Sequence, residues 1–89
     1  VNVWFTGDAW DDFVALQRDD WDLFLRLPDL IQAVRHAPFV GIGKPEPLKG
    51  DFAGWWSRRI NSRHRPVYRV CGRRGEDQQV DIIQCRDHY

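Results

Sequence analysis

The chain opens on Val1 to Thr6 (VNVWFT), a short run of β-branched and aromatic residues that reads as a first strand. Apolar positions then recur at three- and four-residue intervals. Trp10, Phe13 and Val14, with Gln17 and Trp21 further on, fit one buried helix face. Thr6, Gly7 and Asp8 mark the start of that helix. Asp8 is the expected N-cap, and Asp11 and Asp12 fall in the first turn, where the helix dipole favours negative charge. A second helical pattern begins near Asp20 or Asp22. Phe24, Leu27, Leu30, Ile31 and Val34 line one side of it, to about His36. Pro28 lies inside this pattern. Proline removes a backbone hydrogen bond and its ring crowds the preceding turn, so a kink or break is expected near Leu27, with Pro28 opening a renewed helix.

The helical period stops ahead of Pro38. Residues 38–51 (PFVGIGKPEPLKGD) hold three prolines and three glycines and read as a loop. Long loops inside compact domains are disproportionately functional. From Gly54 onward the pattern is that of strands, at 54–60, 65–71 and 79–87, with turns at Asn61–Ser62 and from Gly72 to Asp77. Strand, helix, helix and then strands predict an α+β fold. Two N-terminal helices would pack on a mainly antiparallel sheet of four to five strands. At 89 residues the chain has room for one domain, 1–89.

Charge divides this arrangement. The total is zero, with 13 basic and 13 acidic residues. Residues 1–43 nevertheless set three arginines against seven aspartates, a net of −4, while residues 44–89 carry +4. The stretch 44–75 alone holds nine basic groups against Glu46 and Asp51, a net of +7. Arginine dominates it, and the planar guanidinium suits bidentate phosphate contacts. An acidic half joined to an arginine-rich half points to a polyanion on one face, or to a solvated strand surface. No apolar run approaches the roughly 20 residues that span a bilayer. No signal-like segment opens the chain. Both features predict a cytoplasmic protein that does not bind membranes.

Several constellations could carry chemistry. Cys71, Cys85, His64 and His88 are zinc-type ligands, but their spacing lacks a CxxC or HxxxH knuckle, so two reduced cysteines in neighbouring strands are expected instead of a metal site. Gly41-Ile42-Gly43-Lys44 superficially resembles a phosphate loop but lacks the full string, and Pro45 stands where a helix should begin. Glu46, between Pro45 and Pro47, is a carboxylate on a stiff loop, able to act as a general base or to be a plain surface residue. Arg65 would share a strand face with Val67 and Arg69. Arg86-Asp87-His88-Tyr89 close the chain with a group that titrates near neutrality and a ring for base stacking. A base, an arginine and an acid on a basic sheet match the needs of RNA self-cleavage. The 2′-OH loses its proton and attacks the adjacent phosphate, arginine steadies the oxyanion, and the acid protonates the leaving 5′ oxygen. That scheme calls for no cofactor.

Gly41-x-Gly-Lys-Pro-Glu-Pro-Leu-Lys49, Gly54-x-Trp-Ser-Arg-Arg-Ile60, His64-Arg65-x-Val-Tyr68 and Cys85-Arg-x-His-Tyr89 closely resemble the YoeB/Txe toxins of the RelE/ParE superfamily. Trp10-Asp11-Asp12 and Pro38-Phe39 match as well. The resemblance implies a ribosome-dependent mRNA endoribonuclease that cuts the codon in the ribosomal A site. It implies Glu46 as general base, His88 as general acid, Arg65 as transition-state stabiliser and Tyr89 as a positioning group. Lys44, Lys49, Arg58 and Arg59 would be RNA contacts. It further implies a YefM-like antitoxin, a homodimer, and operator DNA met only through the antitoxin complex. Three departures stand out. Asn61-Ser62-Arg63 replaces a usually acidic segment and removes a carboxylate partner for Arg65. Pro66 suggests an edge position or a bulge. Pro28 breaks the second helix. The alternative reading is a non-catalytic toxin-fold partner that represses transcription with its antitoxin. Growth inhibition that depends on His88 separates the two.

Overall fold

A computed structural model describes residues 1–73 and 75–86. The chain runs β1 (Asn2–Phe5), α1 (Gly7–Asp19), α2 (Trp21–His36), β2 (Glu46–Pro47), a 3-10 turn at Gly50–Phe52, β3 (Trp56–Ser57), β4 (Val67–Cys71) and β5 (Gln79–Gln84). The five strands form one sheet in the order β1-β5-β4-β3-β2. β1 lies parallel to β5, and the other pairs are antiparallel. The predicted two-helix, mainly antiparallel α+β architecture is what forms.

Details differ from the pattern. Thr6, not Asp8, caps α1, its side chain accepting from the Ala9 N–H at 3.1 Å. The inward face of α1 is Ala9 and Leu16, while Trp10, Val14 and Trp21 are about half exposed. The aromatic stripe read as buried runs along the side of the helix instead. There Phe5, Trp10, Phe13, Phe24 and Trp21 pack ring against ring. α2 forms as expected from Asp20, whose side chain caps it through the Leu23 N–H. It runs without interruption through Pro28, so the expected break is absent. The single lost bond would have gone to the Phe24 carbonyl, and Pro28 itself faces solvent.

Leu23, Leu27 and Val34 from α2, with Ala9 and Leu16 from α1, bury against Tyr68, Val80, Ile82 and Cys85 of the sheet. The predicted strand at 54–60 shrinks to Trp56–Ser57. Beyond Ser57 the main-chain donors turn elsewhere, Arg58 to Pro66 and Arg59 to Gly43. The predicted loop 38–51 contributes the edge strand β2. β5 ends at Gln84, short of the expected position 87. A register shift at Val67/Tyr68 follows Pro66, the bulge its presence suggested. No helix among the described residues is long and apolar enough to cross a membrane.

Candidate functional site

The loop after α2 delivers one carboxylate to the sheet edge. Gly43 sits at φ +82°, and a Cβ there would lie 2.7 Å from the Arg59 carbonyl oxygen. That close approach lets the Arg59 N–H donate to the Gly43 carbonyl at 2.5 Å. Lys44 follows in the left-handed region at φ 49°, where non-glycine residues are uncommon. Glu46 and Pro47 then pair with Ser57 and Trp56. Leu48 turns inward and its N–H donates to the Trp55 carbonyl at 2.9 Å. The carboxylate is thus held at the sheet margin by pairing with β3 and by backbone hydrogen bonds before and after it along the chain.

Arg65 arrives from the other direction. Asn61 Oδ1 accepts from the N–H groups of Arg63 and His64, closing the turn that Asn–Ser forecast. The chain then returns toward β4, and Arg65 Nη1 stands 3.4 Å from Glu46 Oε2. The Arg65 side chain is 18% exposed and that of Glu46 50%, so the pair opens to solvent on the carboxylate side. An ion pair at this exposure is a weak tie that an incoming phosphate can replace. The missing acid in 61–63 therefore leaves Arg65 with a carboxylate after all, because Glu46 fills that role. The expected common face of Arg65, Val67 and Arg69 does not form. Val67 is buried at the register shift, while Arg69 pairs with Asp81 at 3.2 Å and lies over the Trp55 ring at 4.6 Å.

Lys44, Lys49 and Arg59 are exposed, as RNA contacts must be. Arg58 is different. None of its surface is accessible, and its guanidinium donates to the Ala37, Val40 and Ile42 carbonyls and to the Tyr68 hydroxyl. A phosphate contact from this position is not available, and the expected RNA role is replaced by a structural one. Burial pushes the Tyr68 hydroxyl above its usual value, against the opposing effect of Arg58. The Tyr68 hydroxyl donates to the Pro38 carbonyl at 2.5 Å.

His88 and Tyr89 lie outside the described residues. The approach to them is described, and it is anchored from α1. Asp12 accepts from the Cys85 N–H at 3.1 Å, and its other oxygen lies 3.4 Å from Arg86 Nε. Arg86 Nη1 also reaches Asp19 at 3.2 Å. Hydrogen bonds from Arg18 and then Arg86 hold the Asp19 carboxyl below its ordinary value. Burial, with Asp12 adding to it, pushes the Cys85 thiol up to about 12. Sequence reasoning placed Asp12 as a helix-dipole residue and within the Trp10-Asp11-Asp12 match, and missed this anchor. A carboxylate on the sheet-facing side of the first helix was the available signal. Cys71 and Cys85 are both free thiols, and Cys71 Sγ lies 3.5 Å from Asp81 Oδ2. Among the described residues no three His, Cys, Asp or Glu side chains gather as a metal ligand set.

The architecture recurs in known proteins. YafQ from Escherichia coli superposes with a TM-score of 0.75 over 98% of this chain and 92% of its own, at 14% identity, which establishes a shared fold. The profile of the YoeB-like toxin of bacterial type II toxin–antitoxin systems matches residues 5–89, and the chain belongs to that family. Toxin YoeB from Synechocystis sp. is 46% identical over 89 residues, covering 100% of this chain and 98% of its own. The YoeB/ParE toxin from Agrobacterium tumefaciens superposes with a TM-score of 0.91 at 48% identity, covering all of both chains. The YoeB dimer from Staphylococcus aureus superposes at 0.84 with 34% identity, covering 100% of this chain and 98% of that one.

Proposed function

We propose that this toxin is a ribosome-dependent mRNA endoribonuclease that cuts the codon in the A site and so inhibits translation. The observation that carries the reading is the pairing of Glu46 with Arg65 at 3.4 Å, on a sheet margin with Lys44, Lys49 and Arg59 exposed. Glu46 takes the proton of a ribose 2′-OH, and the 2′ oxygen attacks the adjacent phosphorus. Arg65 leaves Glu46 for the phosphate and steadies the negative charge that builds on its oxygens. The bond from phosphorus to the 5′ oxygen breaks, and His88 supplies the proton that this oxygen takes up. The products are a 2′,3′-cyclic phosphate and a 5′-OH end. Tyr89 positions the substrate, and Lys44, Lys49 and Arg59 hold flanking phosphates.

The partners follow from the relatives. YoeB from Staphylococcus aureus has been solved as a heterotetrameric complex with YefM and as a dimer. By extension, this chain binds a YefM-like antitoxin, forms a homodimer, and meets operator DNA through the antitoxin complex. The half-exposed Trp10, Val14 and Trp21 are in keeping with a covered face. The test is mapping of mRNA 5′ ends on translating ribosomes. New 5′-OH ends within the A-site codon, absent without ribosomes and absent with Glu46→Ala, Arg65→Ala or His88→Ala, are expected. Cleavage unchanged in all three variants overturns the site, and no cleavage from folded, antitoxin-free protein overturns the activity.

A further inference from the structure

Arg58 immediately follows β3, and none of its surface is exposed. A buried cation normally has a carboxylate against it. Among the described residues no carboxylate approaches Arg58. Its partners are backbone carbonyls of the segment that leads from α2 to Lys44: Ala37, Val40 at 2.8 Å and Ile42 at 3.3 Å. Arg58 Nε donates to Tyr68 Oη at 3.2 Å, and Tyr68 donates in turn to the Pro38 carbonyl at 2.5 Å. Four carbonyls of a segment without regular structure are thereby tied to one point on the sheet. The main chain of the same residue faces the other way. The Arg58 N–H donates to the Pro66 carbonyl at 3.2 Å, one residue beyond Arg65.

Arg58 is therefore shared by both limbs of the site. Its side chain fixes the loop that feeds Glu46, and its backbone fixes the segment that bears Arg65. We infer that Arg58 is a positioning residue that sets the Glu46–Arg65 geometry from inside the protein, with Tyr68 as its relay. The inference rests on the proposed catalytic roles of Glu46 and Arg65. A guanidinium suits the task because its planar fork reaches several acceptors at once, whereas a lysine ammonium is a point donor on a flexible stem.

The test uses Arg58→Lys, which keeps the charge and loses the fork. Tyr68→Phe, which removes only the relay hydroxyl, carries the same readouts if Arg58→Lys fails to fold. Hydrogen exchange at the Arg59 N–H and at the amides of residues 39–44 is expected to quicken, with β4 and β5 amides unchanged. On programmed ribosomes kcat is expected to fall roughly tenfold or more with KM within about twofold, the signature of misplacement rather than lost binding. In a Glu46→Gln background, Arg58→Lys is expected to add less than about twofold, since the residue it positions is already disabled. Unchanged exchange overturns the inference whatever the kinetics show. So does faster exchange with an unchanged kcat, or a full additional loss in the Glu46→Gln background. Wild-type cleavage by Glu46→Gln alone overturns the catalytic reading instead, so the two failures are distinguishable.

Discussion

Arg58 and Arg65 lie seven positions apart in the same basic stretch, and they do opposite things. Arg58 is wholly buried and spent on the backbone, with carbonyls of the 37–42 segment and the Tyr68 hydroxyl absorbing its donors. Among the described residues Arg65 has one side-chain ion pair, 3.4 Å to a half-exposed Glu46. A saturated cation is a strut, because withdrawing it leaves the buried Tyr68 hydroxyl and three part-buried carbonyls without their donor. A cation held by one weak contact is available, because a phosphate can take the place of the carboxylate at little cost. Composition counts both as positive charge suited to RNA. Burial and partner type separate them.

The largest effects should come from the available arginine and the carboxylate it pairs with. Arg65→Ala is expected to lower single-turnover cleavage on ribosomes by roughly 10²–10³-fold, as for loss of a group that stabilises transition-state charge. Glu46→Ala should fall in the range of about 10²–10⁴-fold expected for a general base. Both variants should melt within ~1 kcal/mol of wild type by urea titration, since the pair they break is long and open to solvent on its carboxylate side. A large destabilisation by Arg65→Ala would erase the contrast. The strut should behave in reverse. Arg58→Met is expected to cost roughly 3 kcal/mol or more, from the unpaired carbonyls and the Tyr68 hydroxyl it leaves behind. Arg59→Ala, its exposed neighbour, should stay within ~0.5 kcal/mol. Equal destabilisation by the two would show that burial does not distinguish them.

How much of this was legible depends on which forces each residue obeys. The spacing of Leu27, Leu30 and Val34 announced α2 because burial of a helix face leaves a periodic trace. α1 was found but rotated, because its inner face is Ala9 and Leu16, while the conspicuous Trp10 and Trp21 stack on Phe13 and Phe24 at the side. β2 escaped detection because Pro47 reads as a breaker. Proline is tolerated on an edge strand, and β2 is the edge. Nothing local signals that β1 pairs with β5, a contact made across most of the chain. Glu46 and Arg65 were singled out from the Pro-Glu-Pro loop and the basic strand, and the resemblance supplied their roles, but their meeting is a tertiary fact. Arg58 was misread because Arg58-Arg59 is a doublet whose members point into different environments.

Pro28 gives a smaller effect, away from the basic segment. It interrupts an otherwise regular helix at a solvent-facing position. Pro28→Ala restores one backbone bond and removes a helix-interior penalty of about 3 kcal/mol, offset by the ~1 kcal/mol lost when the unfolded chain becomes freer. A net gain of about 1–2 kcal/mol in urea unfolding is expected, with cleavage unchanged. A loss of stability would show that the proline is packed for a reason the helix pattern does not contain.

A third arginine sharpens the contrast by falling between the other two. Arg86 is about one-third exposed and is shared by Asp12 and Asp19. Asp12 also receives the Cys85 N–H, so Asp12→Ala leaves a partly buried donor unpaired and should cost ~1–2 kcal/mol. Asp19 is a surface partner and should matter less, but it leaves a pH signature. Its carboxyl lies below the ordinary value of 3.8, so the folded state holds its proton less tightly than the unfolded chain does. The resulting stabilisation is fully present above the unfolded pKa and is lost as pH falls through that value toward the lower folded one. Asp19→Asn should therefore be slightly less stable than wild type at pH 7, with the difference closing as pH falls below about 4, so that its acid limb is flatter. If wild type and Asp19→Asn lose stability in parallel on acidification, Arg86 is not paired with Asp19 in solution. Asp12 would then be its sole anchor on α1, and Arg86 would belong with Arg65 among the weakly held cations.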